Sequence, residues 1–298
     1  MKDIAFPSHG VSCAAWHLAA QQARVEDGRR RPCVVMAAGI GGTRMAGLLG
    51  FAAGFTAAGM DVLLFDYRGF GDSDGRRRQD VSYRRQREDY HAAIAAARHL
   101  PGVDADKIVV WGTSYSGGHV VAVAAQDPRV AAVVAMTPAT DGAAALVHLT
   151  RNAGAGALIR LAGHGLFDLL GSLGGREHYI PVAGQPGSVA LLTTSGAEEA
   201  YVATAGSTWR NEVRARSALE VCFNRPITHA GRVRRPMLVQ VGINDRIAPP
   251  SAARRTVQQV GEWGRLREYP VDHFDVYDGP WQQRLLDDQI AFLAEVID

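Results

Sequence analysis

The sequence is poor in cysteine and has no pattern typical of a metal site. Its 298 residues include three cysteines, Cys13, Cys33 and Cys222, and this odd number without paired spacing argues against a disulfide framework. No cluster of His and Cys residues has metal-ligand spacing, and the pattern His-Glu-x-x-His of zinc peptidases does not occur. We therefore expect no bound metal ion and no disulfide scaffold.

Long apolar runs and a strong net charge are also missing. No run of about 18 apolar residues occurs, so we expect no transmembrane helix. Residues Met1–Pro7 lack the apolar segment of a secretory signal. The formal net charge of +2 is too small to suggest binding to nucleic acid. We expect a cytoplasmic protein whose partner is a small molecule, not a membrane or a nucleic acid.

The sequence does contain an alternation of apolar strands and helices. Hydrophobic residues make up 47% and charged residues 21% of the chain, which is enough for a sizeable core. Strands are expected at Cys33–Ala38, Val62–Phe65 and Val130–Met136, with helices between them, and this order predicts parallel strands joined by right-handed crossovers. We expect an α/β fold with a mostly parallel, doubly wound sheet formed by residues 1–139 and 236–298. The helices expected in these two segments include 44–58, 82–100, 250–261 and 280–297.

The alternation stops between residues 140 and 235. This stretch carries mixed helical segments, which we expect at 142–151, 156–170 and 196–219. We interpret it as a helical insertion that folds over the edge of the sheet. Some of its apolar side chains are expected either to line a pocket for an acyl group or to form the insertion's own core. These candidates are Leu158, Leu161, Leu166, Phe167, Leu169 and Leu170.

The most informative stretch is Gly112–Gly118, which reads Gly-Thr-Ser-Tyr-Ser-Gly-Gly. It follows the apolar strand 107–111 and precedes a helical segment, and this is the context of a nucleophile elbow. We therefore predict that Ser114 is a nucleophile on a sharp turn, close to a helix N-terminus that stabilises negative charge. A helix N-cap is the alternative interpretation of this serine. The usual motif has glycine where this chain has Ser116.

A serine hydroxyl needs a general base, and the base needs an acid that orients it. In a parallel sheet these groups should lie on loops just after the carboxyl ends of strands. Two later loops fit, since Gln240–Arg246 offers Asp245 and Tyr269–Phe274 offers His273. The order Ser114, Asp245, His273 is the order of nucleophile, acid and base in this architecture.

Three other acidic or histidine residues lie near these positions in the sequence. Asp141 also follows a strand end and is the alternative acid, although it could simply cap the first helix of the insertion. Asp272 is adjacent to His273, and neighbouring residues rarely place one side chain on the other's ring nitrogen. His119 is close to Ser114 in the sequence, and we interpret it either as a core residue or as one that packs behind the catalytic groups.

The tetrahedral intermediate of such a reaction needs hydrogen-bond donors for its oxyanion. We expect one donor to be the backbone N–H of Tyr115 and the other to be that of Ile40, in the glycine-rich loop Ala38–Thr43. The glycines of this loop allow the backbone to approach a substrate closely, and the turn Asp66–Ser73 is expected to hold it in place. The loop has neither the lysine nor the spacing of a phosphate- or dinucleotide-binding loop. We therefore expect no cofactor.

Together these motifs resemble the α/β-hydrolase superfamily, and the likeness extends over nearly the whole chain. It is carried by the Gly39–Thr43 loop, the Asp66–Ser73 turn, the Gly112–Gly118 elbow, Asp245 and His273. The run Trp111–His119 is similar to a bacterial subgroup of esterases, dienelactone-hydrolase-like and peptidase-like proteins. Members often have histidine where this chain has Ala38.

The resemblance implies an α/β-hydrolase fold in which the insertion at 140–235 is a cap domain. The site residues that it implies are the nucleophile Ser114, the acid Asp245, the base His273 and the oxyanion amides of Tyr115 and Ile40.

We expect a cofactor-independent serine hydrolase that cleaves an ester or thioester of a small to medium organic substrate through an acyl-enzyme on Ser114. Alternatives on the same scaffold are an acyltransferase, a biosynthetic thioesterase and a C–C hydrolase or lyase. An alternative of another class is a non-catalytic ligand-binding protein. A homodimer is a common assembly for such chains.

Overall fold

A mixed sheet forms the centre of the protein in the computed structural model, which describes residues 1–21 and 30–297. Residues 22–29 and 298, which belong to the predicted sheet segments, lie outside the described residues. The eight strands of this sheet are β1 (Lys2–Ser8), β2 (Val11–Leu18), β3 (Arg31–Ala37), β4 (Asp61–Phe65), β5 (Val103–Thr113), β6 (Val130–Met136), β9 (Met237–Gly242) and β10 (Gly264–Tyr269).

The strand order is β1-β2-β4-β3-β5-β6-β9-β10. The pairs β1/β2 and β2/β4 are antiparallel, and every pair from β4 to β10 is parallel. Strands β3, β5, β6 and β9 are buried along most of their length, which explains why they are continuous apolar runs in the sequence. The predicted α/β fold with a mostly parallel sheet is confirmed.

Helices cover both faces of the sheet. Successive strand residues point to opposite faces, so Val35 and Leu63 pack in one apolar layer while Val34 and Leu64 pack in the other. Helices α2, α3 and α8 contribute to the first layer, and α1 and α9 contribute to the second. Their bounds are α1 (Leu49–Ala57), α2 (Tyr83–Arg98), α3 (Ser114–Ala124), α8 (Pro250–Val260) and α9 (Gly279–Val296).

Helix α1 begins at Leu49, later than the predicted start at Arg44. The backbone N–H of Arg44 donates to Asp66 Oδ1 at 2.6 Å, and its guanidinium binds the same carboxylate. Gly47 then has φ of +68°, which a helix does not allow. These contacts hold the residues before Leu49 in turns, and local helix propensity does not reveal them.

The insertion between β6 and β9 has a long interrupted helix and short elements. Its elements are α4 (Gly142–Gly171), β7 (Tyr179–Ile180), α5 (Ala197–Thr204), β8 (Val213–Arg214), α6 (Ser217–Val221) and α7 (Ile227–Ala230). Helix α4 breaks at Gly154, where φ is 80° and ψ is 161°.

The predicted helix at 196–219 is wrong. Strand β8 interrupts it by pairing with β7, and the buried Arg214 guanidinium donates to the Asp168 carboxylate of α4 at 2.6 Å. A long-range ion pair therefore overrides the local helical pattern.

Four of the apolar candidates in α4 are exposed. The exposed fractions are 51% for Leu166, 65% for Phe167, 47% for Leu169 and 59% for Leu170. The expectation that these four line a pocket or form a core is wrong, because they lie on the outer side of the helix. Within residues 1–21 and 30–297, no helix combines the length and apolar character needed to cross a membrane.

Candidate active site

Ser114 lies on a sharp turn between β5 and α3. Its φ of +55° is in the left-handed region, which side-chain-bearing residues rarely adopt. The turn requires glycine at two positions, because the surrounding backbone leaves no room for a Cβ atom. At Gly112 this atom would lie 2.3 Å from the carbonyl oxygen of Ser116, and at Gly118 it would lie 2.2 Å from that of Ala139. This is the geometry of a nucleophile elbow, in which strain at one residue holds its hydroxyl above the sheet.

The structure brings Ser114, His273 and Asp245 together from three separate loops. The distance between Ser114 Oγ and His273 Nε2 is 3.0 Å, and that between His273 Nδ1 and Asp245 Oδ2 is 2.6 Å. The side chains of His273 and Asp245 are each 2% exposed. Because a carboxylate only accepts hydrogen bonds, Nδ1 carries the proton and Nε2 is left to accept the proton of the serine hydroxyl.

The Asp245 carboxylate is held in place by its own loop. Its Oδ1 accepts backbone hydrogen bonds from Ile247 at 2.8 Å and Ala248 at 2.7 Å, which leaves Oδ2 directed at the histidine. These bonds restrict the rotation of the carboxyl group. The loop is therefore suited to orienting an imidazole ring.

The alternative acid Asp141 lies in a different environment. Asp141 Oδ1 accepts a hydrogen bond from the backbone N–H of Ala143 at 3.2 Å, and this bond caps helix α4. The same carboxylate forms an ion pair with Arg225 at 2.8 Å. The side chain thus contacts the insertion, and the structure does not bring it to His273. This position matches the other interpretation of the residue, that of a helix cap.

Asp272 contacts the backbone of the histidine and not its ring. Its Oδ1 accepts the N–H of His273 at 2.8 Å and that of Arg246 at 3.0 Å, and its Oδ2 accepts the Arg246 guanidinium. Burial alone would raise the pKa of Asp272, but these hydrogen bonds lower it below its usual range. The pair Asp272–Arg246 therefore links the loop of the acid to the loop of the histidine, a link that residue type and spacing do not reveal.

The glycine-rich loop after β3 lies against Ser114. A Cβ atom at Gly39 would be 2.9 Å from the Cβ of Ser114, so only glycine permits this approach. Gly42 N–H donates to Gly39 O at 3.1 Å, and the Tyr201 hydroxyl of the insertion donates to Ile40 O at 2.7 Å. Ile40 and Tyr115 both border the cavity beside Ser114.

A cavity of about 510 Å³ extends from Ser114 into the insertion. This volume is typical of a site for an organic molecule. Leu158 and Leu161, which are two of the six apolar candidates, line this cavity. Other apolar lining residues are Ala139, Ala145, Leu146, Leu149, Leu191, Leu192, Ala218, Val221 and Ile247. Polar groups are contributed by His148, Thr193, Thr194, Ser195, Cys222 and Arg246.

A second, much smaller pocket of about 20 Å³ lies beside the serine and the histidine. It is bordered by Ser114, His273, Thr113, Thr204 and Tyr277, among others. Tyr277 hydrogen-bonds Thr113 Oγ1 at 2.6 Å, and burial raises the pKa of Tyr277 to about 12, so the phenol stays protonated. This volume has room for about one water molecule.

His119 is fully buried next to the elbow. Its Nε2 is 2.9 Å from Gln86 Oε1, and its ring packs edge-on against that of Tyr115 at 4.7 Å. Burial, with a contribution from Arg87, lowers the pKa of His119 well below its usual range. The residue therefore packs as a neutral core group, as expected. Among the described residues, no group of three His, Cys, Asp or Glu side chains is arranged to hold a metal ion.

The sheet order, the elbow and the contacts of Ser114 with His273 define the class of α/β hydrolases. Residues 28–271 match the family described as serine aminopeptidase, S33, and the chain belongs to this family of α/β hydrolases. The match includes Ser114 and Asp245 and ends before His273. The family consists of enzymes whose fold is shared by many different activities.

Three similar proteins cover nearly the full chain. The quorum-quenching protein AidA of Acinetobacter baumannii is 37% identical in an alignment 298 positions long, which covers 99% of this chain and 95% of that protein. Polyketide transferase af380 of Aspergillus fumigatus is 27% identical and aligns with 90% of this chain and 91% of its own length. The crystal structure of the α/β hydrolase GrgF from Penicillium superposes with a TM-score of 0.83 at 23% identity, covering 99% and 98% of the two chains.

Proposed function

We propose that this protein is a serine hydrolase that cleaves an ester or thioester through an acyl-enzyme on Ser114. The observation that carries the proposal is the continuous hydrogen-bonded line from Ser114 Oγ through His273 to Asp245. The strained φ of Ser114 and the apolar cavity beside it support the same assignment. Hydrolysis of this kind needs no cofactor, because the nucleophile, the base and the orienting acid all come from the chain.

In the first half of the proposed reaction, His273 Nε2 takes the hydroxyl proton as Ser114 Oγ attacks the carbonyl carbon. The carbonyl oxygen becomes an oxyanion, which would accept hydrogen bonds from the backbone N–H groups of Tyr115 and Ile40. Asp245 stabilises the imidazolium that forms. Breakdown of the intermediate breaks the bond to the alcohol or thiol, and the leaving group takes the proton from His273.

In the second half, water replaces the leaving group. His273 takes a proton from water, the hydroxide attacks the acyl carbon, and Ser114 recovers its proton as the free acid departs. The small pocket beside His273 has room for about one water molecule, the nucleophile of this step. In this assignment residues 140–235 act as a cap that shapes the acyl site.

Acyl transfer is the second candidate. It is favoured by the likeness to polyketide transferase af380, a protein whose name describes the transfer of a polyketide. In that case an alcohol or amine would attack the acyl-enzyme in place of water. The likeness to the quorum-quenching protein AidA points instead to a role in quorum quenching.

Product analysis distinguishes these candidates. The purified protein would be incubated with p-nitrophenyl esters and with acyl thioesters of two to twelve carbons, with and without added glycerol, and the products would be identified by mass spectrometry. We expect the free acid as the main product under both conditions. A glyceryl ester as the main product would favour the transferase. Binding of the substrates without turnover, unaffected by Ser114→Ala, would support the non-catalytic alternative.

The cavity makes a further prediction about chain length. Each CH₂ group buried in it should raise kcat/KM about fourfold until the cavity is full. The variant Leu158→Trp should lower kcat/KM for the longest accepted acyl group by about tenfold or more and leave the acetyl ester within about twofold. The matched control is Ile159→Trp, since Ile159 is the next residue, 70% exposed and outside the cavity lining. Equal losses for both acyl groups in Leu158→Trp would contradict the role of the cavity.

A further inference from the structure

Two positions at which the chain departs from the common motifs of its family are in direct contact. Ser116 replaces the second glycine of Gly-x-Ser-x-Gly, and Ala38 occupies the position before the glycine-rich loop where a histidine is common. The Ser116 hydroxyl donates a hydrogen bond to the backbone carbonyl of Ala38. Ser116 is fully buried and Ala38 is 3% exposed, so water does not compete for this bond.

A third group completes the contact. The hydroxyl of Tyr67, which is 2% exposed, hydrogen-bonds the Ser116 hydroxyl at 2.5 Å. A carbonyl oxygen only accepts, so the single proton of Ser116 is committed to Ala38, and Tyr67 must donate to Ser116. Burial raises the pKa of Tyr67 well above its usual range, which keeps that donor protonated. The order Tyr67, Ser116, Ala38 is therefore a directed chain of hydrogen bonds, which we call the hydroxyl chain.

The acceptor of the hydroxyl chain lies next to the reacting serine. The Ala38 carbonyl belongs to the peptide group that joins Ala38 to Gly39, and this group is planar, so a bond to its oxygen restricts the orientation of the whole plane. Gly39 lies against Ser114 and has no side chain that could anchor it. The following residue, Ile40, carries the amide assigned to the oxyanion. A rotation of the peptide before Gly39 would move that amide relative to Ser114.

We propose that Ser116 is a positioning residue, which together with Tyr67 holds the loop Gly39–Gly42 so that the Ile40 amide faces the oxyanion. This inference rests on the proposed function, because it concerns the oxyanion of that reaction. The hydroxyl chain links the turn Asp66–Ser73, through the elbow, to the oxyanion loop. The serine two residues after the nucleophile thus has a role that glycine at the same position could not fill.

The test compares Ser116→Ala and Ser116→Gly with the wild type. The second variant restores the common glycine motif, yet it loses the hydroxyl chain as the first does. We expect kcat for a p-nitrophenyl ester to fall by about 10- to 100-fold in both, with KM within about twofold, because a misplaced donor acts mainly on the transition state. The inhibition constant of a trifluoromethyl ketone, which forms an oxyanion on Ser114, should rise by a similar factor, while that of the carboxylic acid product should stay within about twofold.

Two further variants separate positioning from stability. Tyr67→Phe removes one donor and leaves the bond from Ser116 to Ala38, so kcat should fall less, by about 3- to 10-fold. Thr256→Val is the matched control, since the buried Thr256 hydroxyl also donates to a backbone carbonyl, that of Ala252 at 2.9 Å, in α8. This control should leave kcat and the ketone inhibition constant within about twofold, even if the melting temperature falls.

The possible failures are distinguishable. If the wild type is active and Ser116→Ala or Ser116→Gly has the same kcat and the same ketone inhibition constant, the positioning role is overturned and the proposed function remains intact. A folded wild type that neither turns over esters nor reacts with a fluorophosphonate would overturn both. If both Ser116 variants fail to fold, Tyr67→Phe decides: an unchanged kcat and inhibition constant would overturn the inference, and the expected loss would support it.

Discussion

The elbow and the insertion are built in different ways, although they border the same cavity. Around Ser114 the backbone packs so closely that a Cβ atom at Gly112 or Gly118 would lie within 2.3 Å of a carbonyl oxygen. Packing in the insertion is uneven. Gly154 and Gly163 of α4 have no atom within 4 Å of such a position, whereas a Cβ atom at Gly142, where α4 begins, would lie 2.1 Å from the carbonyl oxygen of Val221. Apolar side chains of α4 are also left in solvent, since Ile159 is 70% exposed.

This difference separates the chemistry from the choice of substrate. Close packing and buried hydrogen bonds hold the reacting groups within a few tenths of an ångström, which the proposed acyl transfer to serine requires. The insertion, which is loosely packed at Gly154 and Gly163 of α4, supplies most of the cavity lining, so lining residues there can change without disturbing the reacting groups. We therefore expect substitutions at the elbow to reduce turnover with every substrate and substitutions in the insertion to alter preference.

The largest expected effect is that of Asp245, which contacts His273, and its matched comparison is Asp141 at the start of the insertion. Asp245→Asn would keep the shape of the side chain but favour the wrong imidazole tautomer, and kcat should fall by about 10⁴-fold, as in serine proteases. Asp141→Asn removes a charge that pairs with Arg225 at the start of the insertion, and kcat should stay within about twofold. Steady-state kinetics on both variants provides the test. A large loss in Asp141→Asn with a small one in Asp245→Asn would reverse the assignment.

Glycine substitutions compare the packing of the two regions directly. Gly112→Ala places a Cβ atom against the Ser116 carbonyl, and we expect the free energy of unfolding to fall by more than about 2 kcal/mol. Gly163→Ala, in an open helical position of α4, should raise it by up to about 1 kcal/mol. Urea denaturation measures both changes. If the two substitutions had similar effects, the contrast in packing would be wrong.

The smallest expected effect is the pH dependence contributed by His119. The folded protein keeps this histidine neutral because burial lowers its pKa, whereas the unfolded chain takes up a proton near the ordinary pKa of about 6.5. The unfolded state therefore binds more protons as the pH falls below about 6.5, and stability decreases by up to about 1.4 kcal/mol per pH unit.

His119→Gln should remove that part of the slope between about pH 6.5 and pH 5, as measured by urea denaturation at a series of pH values. His99→Gln, at an exposed histidine after α2, is the control and should keep the wild-type slope. An unchanged slope in His119→Gln would show that another group is responsible.

The fold and the positions of Ser114, Asp245 and His273 could be predicted because each rests on a local pattern. Strands β5 and β9 contain continuous buried apolar runs, and these precede Ser114 and Asp245. His273 follows the edge strand β10, whose charged residues are exposed, and is identified by its place after the last strand. Once parallel pairing is assumed, the carboxyl ends of the strands meet at one edge. The contact of His273 with Ser114 follows from that arrangement, although the two residues are far apart in the chain.

The parts that could not be predicted depend on contacts between distant residues. The break in the expected helix 196–219 comes from Arg214, which binds Asp168 across the insertion. The late start of α1 comes from Arg44, which binds Asp66. The role of Ser116 was visible only as a departure from a motif, because its partner Ala38 acts through a backbone carbonyl that has no sequence signature.

In the proposed mechanism His273 and Asp245 activate Ser114 as a nucleophile. The rate of labelling by a fluorophosphonate, followed by intact-protein mass spectrometry, tests this activation in the wild type, Ser114→Ala and His273→Ala. We expect one label per wild-type chain, none on Ser114→Ala and labelling of His273→Ala slower by a factor on the order of 10³. Undiminished labelling of Ser114→Ala, or a folded wild type that does not react, would contradict it.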